Sequence, residues 1–294
     1  MSAARRLIVE VRGGERSGAK ALIAPGETLR VGRSERAHLV IPRDQHLSGL
    51  HCELTWDGAT CVLRDAGSAE GTRLEGELVA GPTAVPHGGC IEVGETSLLV
   101  YQEASSPPRL PPLDLDPTLA AAATRAREAL GACLGRLHAV LDAARDERIL
   151  ELLRESVDPC RSLHDGVEGE ARADVAPYLV SFRRDSGLLD RLLREGWGRS
   201  WGIFLTSSAS FTAVRRHLRR FLLVEDEDAA PRGYSRFYDP RVLCELMPIA
   251  TPRQRDDLFE GLDAFLLEGE GGELLTFDAA EAQRTSASVS VPTR

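Results

Sequence analysis

The stretch Gly67–Thr72, "GSAEGT", combines two glycines, a serine and a threonine, and reads as a tight strand-to-strand turn rich in backbone N–H and hydroxyl donors. Such a turn is suited to receive an anion, yet its tip carries a carboxylate, Glu70. A second stretch, "GRSWG" at 198–202, fits the G-x-S-x-G pattern around Ser200, which makes a nucleophile only when a strand precedes the turn and a helix follows. Here the helical "LLDRLLREG" comes first and the strand-like "IFLTS" second, so the order is reversed. The pattern then reads as a glycine-loosened turn carrying Trp197 and Trp201 into a core or a contact surface. His138 and Asp142 are four apart, but the segment between them looks extended, which separates them for metal binding. There is no G-x-x-x-x-G-K-[ST] loop, and "EGEGGE" at 268–273 surrounds its glycines with carboxylates that repel phosphate. No nucleophile has an identifiable base. The expectation is a binding protein, not an enzyme, with no cofactor and no metal.

The totals agree with that class. The 294 residues exceed what one core usually organises, and 43% hydrophobic with 28% charged residues fits a globular, water-facing chain. The formal net charge is −9 and neither half has a basic excess, which argues against nucleic acid as a partner. Lysine occurs once, at Lys20, so lysine catalysis has little room. The six cysteines are scattered with no C-x-x-C pair, and most sit in apolar runs, so buried free thiols are expected. "MSAARRLIVEVRGG" lacks the apolar core of a signal peptide, and no run approaches the ~18 apolar residues of a membrane span. The expected location is a reducing cytoplasm, without membrane attachment.

The positioning elements fall into two groups. Residues 6–102 read as short strands separated by turn residues, the pattern of an antiparallel sandwich or barrel. "ASSPPRLPPLDLDPT", 104–118, has five prolines and reads as a semi-stiff linker between a first domain, 1–103, and a second, 119–278. In the second, "LAAAATRAREALGACLGRL" is a strong helix former, after which strands ("LHAVLDA", "PYLVSF", "WGIFLTS") alternate with helices ("DERILELLRES", "SGLLDRLLREG", "SFTAVRRHLRRFLLVED"). Ser186 is the expected N-cap of the "SGLLDRLLREG" helix and Gly196 its C′ residue. Alternation predicts an α/β domain with some parallel strand pairing and additional helices. The polar stretch 279–294 reads as disordered.

At "VGRS", "LSGLH" and "GSAEGT" the first domain resembles a forkhead-associated (FHA) domain, a β-sandwich whose end loops bind phosphothreonine peptides. The order matches: a G-R pair closing a strand, then S-x-x-H, then D-x-x-S-x-x-G-T. The resemblance implies that Arg33 presents a guanidinium to phosphate, that Ser48 adds a hydroxyl donor, and that Gly71 and Thr72 shape the turn beside Glu70. It also gives Gly32 and His51 structural roles in the loops, His51 bracing them from beneath. Two positions depart from the family. Gly49 stands where arginine or asparagine usually follows the serine, and Glu70 replaces the asparagine that clamps the peptide backbone. Ionised glutamate offers only acceptors and repels a phosphate dianion. Either the phosphate site is weakened, with the sandwich retained as a docking surface, or Glu70 pairs with Arg33 and fills the site internally.

The second domain, over about 137–277, resembles a domain first catalogued as of unknown function that recurs in adaptor (chaperone) proteins of the bacterial type VI secretion system. The matching runs are "YLVSF…SGLLDRLLREGWGRSWGIFLTS", "VRRHLRRFLLVEDED" and "RFYDPRVL". The resemblance implies a cytoplasmic bacterial adaptor that binds a secreted effector (a toxin) and helps load it onto the VgrG spike. Candidate contacts are Arg236, Tyr238 and Arg241 of "RFYDPR", residue types enriched at binding hot spots, with Asp239 either beside them or paired internally to fix the loop. Trp197 and Trp201 are further candidates, and Arg215 and Arg219, with Arg216 and Arg220, form either a solvated face or a stripe that steers an acidic segment. The competing reading is a phosphothreonine-dependent signalling scaffold.

Overall fold

The computed structural model describes residues 5–13, 16–109, 117–164, 173–224, 233–234 and 236–279. The chain divides into two compact units, one of residues 1–107 with 154–159, the other of 108–153 with 160–294.

The first unit is a β-sandwich. One sheet contains β1 (Leu7–Arg12), β2 (Lys20–Ile23), β7 (Thr72–Leu74), β8 (Glu77–Leu78), β10 (Cys90–Val93) and β11 (Thr96–Gln102), in the order β2-β1-β11-β10-β7-β8. The other contains β3 (Thr28–Gly32), β4 (Leu39–Val40), β5 (Cys52–Trp56), β6 (Cys61–Asp65) and β9 (Thr83–Val85), in the order β4-β3-β5-β6-β9. All neighbours are antiparallel except β3 and β4. Alternate residues from both sheets, among them Val9, Val11, Val31, Leu54, Trp56, Leu63, Ile91 and Leu98, form a single buried core, as the two-residue period of a strand demands. Ile8, on the reverse face of β1, is buried with Tyr101 and Val157.

The second unit has six strands, β12 (Leu137–Asp142), β13 (Cys160–Ser162), β14 (Pro177–Ser181), β15 (Gly202–Thr206), β18 (Ala264–Glu268) and β19 (Leu274–Asp278), in the order β13-β14-β12-β15-β18-β19. Every pair is antiparallel, so the parallel pairing expected from the sequence is not formed. The misreading has a clear cause. Helices cover both faces of this sheet, so its strands are apolar throughout, the signature parallel sheets usually carry. α1 (Pro117–Ala132), α2 (Glu147–Arg154) and α3 (Leu188–Gly196) pack with Leu137, Ala139, Leu141 and Phe204. α4 (Phe211–Arg219), α5 (Pro240–Ile249) and α6 (Pro252–Phe259) pack on the other side with Val140, Ile203, Leu205 and Phe265. A separate two-stranded ladder joins β16 (Leu223–Val224) to β17 (Gly233–Tyr234).

Helix ends are set locally. Ser210 caps α4 and Thr251 with Gln254 forms a capping box on α6. The expected cap of α3 is displaced by one residue: Gly187 is the N-cap, and Ser186 Oγ accepts from the Leu188 amide at 3.1 Å. Gly196 closes α3 from inside rather than following it, because a Cβ there would lie 2.3 Å from the Trp201 ring. Among the described residues no helix is long and apolar enough to cross a membrane. Cys52, Cys61 and Cys160 are buried free thiols, whereas Cys90, Cys133 and Cys244 are half-buried.

Candidate functional site

The end loops of the sandwich bring the separated motifs together. Arg33 leaves the end of β3, its amide donating to the Ser48 carbonyl at 2.9 Å. Gly32 makes that approach feasible, since a Cβ would lie 2.3 Å from the Gly49 carbonyl oxygen. His51 is fully buried and joins the two binding loops. Its Nδ1 accepts from the Ser48 amide at 3.1 Å, which places the ring proton on Nε2, where it is donated to the Gly71 carbonyl at 3.2 Å. Ser48 Oγ accepts from the Ala69 amide at 3.0 Å, and its own proton is left to donate outward.

The "GSAEGT" turn is built around Asp65, which opens the D-x-x-S-x-x-G-T run and to which the sequence reading gave no role. Its carboxylate accepts from the Gly67 and Ser68 amides, the Ser68 hydroxyl at 2.6 Å and the Thr72 hydroxyl at 2.7 Å. Partial burial alone raises the Asp65 carboxyl, but the hydrogen bonds from Ser68, Thr72 and Gly67 outweigh it and hold the group below its ordinary value. Thr72 is fully buried in this role, and Gly71 adopts φ +79°, a conformation that favours glycine.

Glu70 does not pair with Arg33. Its Oε1 lies 2.7 Å from His46 Nδ1, and His46 Nε2 in turn lies 3.6 Å from Glu95. The hydrogen bond and charge of Glu70, then the charge of Glu95, raise the His46 pKa above its ordinary value. His46 is positioned by Asp44, which accepts from the His46 and Glu95 amides and the Thr96 hydroxyl. Arg33 is exposed, makes no ion pair among the described residues, and reaches only the Gln45 carbonyl at 3.5 Å. The loops therefore present an uncommitted guanidinium and a free hydroxyl proton beside a carboxylate already engaged by an imidazole. Gly49 has room for a side chain, its nearest non-neighbouring atom being Ser34 Oγ at 3.4 Å from an added Cβ.

In the second unit the candidate residues separate into core and surface. Trp197 and Trp201 are buried, and Trp197 Nε1 donates to the Gly272 carbonyl at 2.8 Å, so both are packing residues and not contact anchors. Arg215 is buried and donates to the Ser162 and His164 carbonyls, while Arg219 donates to that of Leu163. These two arginines tie α4 to β13 and its exit, and form no free stripe. Ser200 sits on a helix-to-strand turn at φ +53°, its amide donating to Glu268 at 3.3 Å.

"RFYDPR" forms an ionic cluster with residues the sequence did not connect to it. Asp239 caps α5 and accepts both Nε and Nη2 of Arg241, at 3.0 and 2.8 Å, as well as Arg145 Nη2. Arg236 Nη2 donates to Asp142 at 2.6 Å. The carboxylates are inside, at 2% and 4% side-chain exposure for Asp142 and Asp239. The guanidiniums are outside, at 48% for Arg236 and 59% for Arg241. Tyr238 is buried beneath, and its desolvation, followed by the charge of Asp142, raises its hydroxyl pKa. Arg145 and Asp142 lie about ninety residues before this loop, which is why no local pattern announced them.

Comparison with known proteins finds two family matches along the chain. Residues 29–94 match the model of the FHA domain, and residues 137–257 match that of a domain of unknown function, DUF4123. An FHA domain-containing protein of Arabidopsis thaliana is 36% identical over 90 residues, 30% of this chain and 23% of that protein, so the chain spans under a quarter of that relative's length. Among solved structures, the FHA domain of a Chlamydia trachomatis protein is 23% identical with a TM-score of 0.32, covering 34% of this chain and 99% of that one. An FHA domain of an Arabidopsis thaliana hypothetical protein is 31% identical with a TM-score of 0.32, covering 35% and 90% respectively. In sequence order, then, the chain carries a match to the FHA domain followed by a match to DUF4123.

Proposed function

We propose that the chain is a non-catalytic adaptor of a bacterial type VI secretion system. The FHA domain docks a phosphothreonine-bearing segment, and the DUF4123 domain holds a secreted effector for loading onto the VgrG spike. The observation that carries the first half is the division of labour in the loops. Among the described residues Arg33 remains exposed without an ion pair, and Glu70 is engaged by His46. A phosphate dianion then meets a guanidinium and the Ser48 hydroxyl, while the neighbouring carboxylate is hydrogen-bonded to an imidazole. The adaptor half is supported by the DUF4123 match. Tethering two docking modules raises the effective concentration of one partner for the other.

The test has two arms on the full chain. Titration with phosphothreonine peptides is expected to give micromolar binding that Arg33→Ala abolishes; absence of binding to a broad phosphothreonine library removes the phosphate half. Pull-down with the effector and spike proteins encoded beside this chain is expected to recover them before and after phosphatase treatment. Recovery only before treatment supports a phosphothreonine-dependent signalling scaffold instead.

A further inference from the structure

A sheet edge is a row of unpaired backbone donors and acceptors, and proteins blunt it with short strands, lysine, proline or bulges. In the first unit the edge strands β2, β4, β8 and β9 have four residues or fewer. In the second unit one edge, β13, has three residues, and side chains seal its end. Arg215 donates to the Ser162 and His164 carbonyls and Arg219 to that of Leu163. The opposite edge, β19, is five residues long, "LLTFD", pairs with β18 in an unbroken register and has no lysine or proline.

The ladder fixes which groups of β19 are open. The Gly269 amide donates to the Glu273 carbonyl at 2.8 Å, and the Ala279 amide to that of Asp263 at 3.0 Å. In this antiparallel register Leu275 and Phe277 exchange bonds with β18, so the N–H and C=O of Leu274, Thr276 and Asp278 point to the open side. Among the described residues these outward groups have no backbone partner. Leu275 and Phe277 lie half-buried on the core beneath α4, α5 and α6, while Thr276 and Asp278 are exposed on the other face.

The ends of this edge are acidic. Glu270 and Glu273, in the turn before β19, and Asp278 at its end are exposed, and none has an ion pair among the described residues. Glu245 of α5 joins the two turn carboxylates: burial, then the charges of Glu273, Glu270 and Glu245, hold the Cys244 thiol above its ordinary value. Asp263, opposite Ala279, is already paired with Arg136. The free carboxylates flank the strand and leave residues 274–277 uncharged, so they set the sign of an added strand without blocking it.

We propose that β19 is a docking edge for an extended, cationic segment of a partner protein, which joins the sheet as a further strand. Its backbone pairs with Leu274, Thr276 and Asp278, its apolar side chains extend the cover over Leu275 and Phe277, and lysine or arginine lies beside Glu273 and Asp278. The proposal rests on the reading of the second domain as one that holds other proteins. Charge selects this occupant. A second copy paired antiparallel through Thr276 sets Asp278 of each chain beside Leu274 and Glu273 of the other, and a parallel copy sets each carboxylate against itself. In the chain's own end, the alternating run 286–291 carries no charge.

The probes are synthetic peptides about nine residues long, within ordinary strand length, titrated against the full chain by fluorescence anisotropy. One alternates valine with lysine, one alternates valine with glutamate, and one has the lysine composition in blocks. The alternating lysine peptide is expected to bind about tenfold or more tightly than either control, and less well as salt rises. Thr276→Pro removes an outward N–H and no bond to β18, so binding is expected to vanish while thermal unfolding changes little. Asp278→Asn with Glu273→Gln is expected to weaken binding and flatten its salt dependence. In hydrogen exchange the Leu274, Thr276 and Asp278 amides are expected to gain protection only when the lysine peptide is added. Failure of that peptide to bind, or binding that survives Thr276→Pro, overturns the edge. So do outward amides protected in the free chain, which show a second copy or the chain's own end seated there. The effector and spike pull-down keeps the two readings apart. Equal recovery by the wild type and Thr276→Pro overturns the edge and leaves the adaptor reading standing, whereas no recovery by the wild type removes the adaptor reading and leaves the edge to be decided by the peptides.

Discussion

Glu70 Oε1 sits 2.7 Å from Nδ1 of His46, so the carboxylate at the tip of the Gly67–Thr72 turn is bound to a neighbouring loop and not to Arg33. The pair is half exposed on both sides. It leaves the Arg33 guanidinium open and makes the charge at the turn depend on the state of an imidazole.

Replacing Glu70 by asparagine is therefore expected to tighten phosphothreonine-peptide binding about tenfold, by removing a like charge at partly screened range. Isothermal titration of the full chain measures it. Arg33→Ala in the same background is expected to abolish the gain. An unchanged affinity for Glu70→Asn would show that the peptide never approaches this turn.

The same pair sets a pH dependence. His46 has a raised pKa, so its charge is fully present below the ordinary histidine value and is lost as pH rises through the raised one. Above that point Glu70 is uncompensated, and phosphopeptide affinity is expected to fall as pH rises from the ordinary histidine value through the raised one. Phosphate ionisation, with its second pKa near 6, runs in the opposite sense and is nearly complete in this window. His46→Gln is expected to remove the step and bind like the wild type at high pH; fluorescence anisotropy over that range reads both.

Two glycines on adjoining loops are expected to behave oppositely. Gly32→Ala pushes a Cβ to 2.3 Å from a backbone carbonyl and should cost about 1–3 kcal/mol, seen as a lower denaturation midpoint. Gly49→Ala meets only Ser34 Oγ at 3.4 Å and should change stability by less than about 0.5 kcal/mol. Equal effects would mean that the close approach of β3 to the Ser48–Leu50 segment is not rigid.

A buried pair in the second domain offers a stability test independent of binding. Arg148 Nε donates to Glu195 at 2.7 Å, with side-chain exposures of 3% and 1%, linking α2 to α3. Glu195→Ala leaves a buried guanidinium without its main partner and should cost about 3–5 kcal/mol. Urea denaturation with an unchanged slope would confirm a native-state effect.

Much of the FHA domain is legible because its signals are local. A glycine that must admit a backbone, a serine three residues before a histidine and a turn of small polar residues each announce themselves within a few positions. Glu70 was legible as an anomaly, but its partner was not, because His46 lies 24 residues away on another loop. Asp65 was visible as the start of the D-x-x-S-x-x-G-T run, but its role was not, since an aspartate closing a strand looks the same whether it organises a turn or faces water. In the second domain helical periodicity set Arg215 and Arg219 apart from the apolar stripe and so suggested a solvated face, yet Arg215 is buried. Periodicity could not say that backbone carbonyls of residues 162–164 would bury them there. Strand direction failed for a related reason: apolar strands report that both sheet faces are covered and say nothing about which way neighbours run.

The single imidazole of His51 fastens the Ser48 amide to the Gly71 carbonyl. The two loops are thereby held to each other, and in the proposed phosphopeptide role their surface stands formed before any peptide arrives. Association in that role is expected to carry little ordering entropy, with encounter limited by diffusion and orientation. Differences among cognate peptides will then be expressed chiefly in residence time.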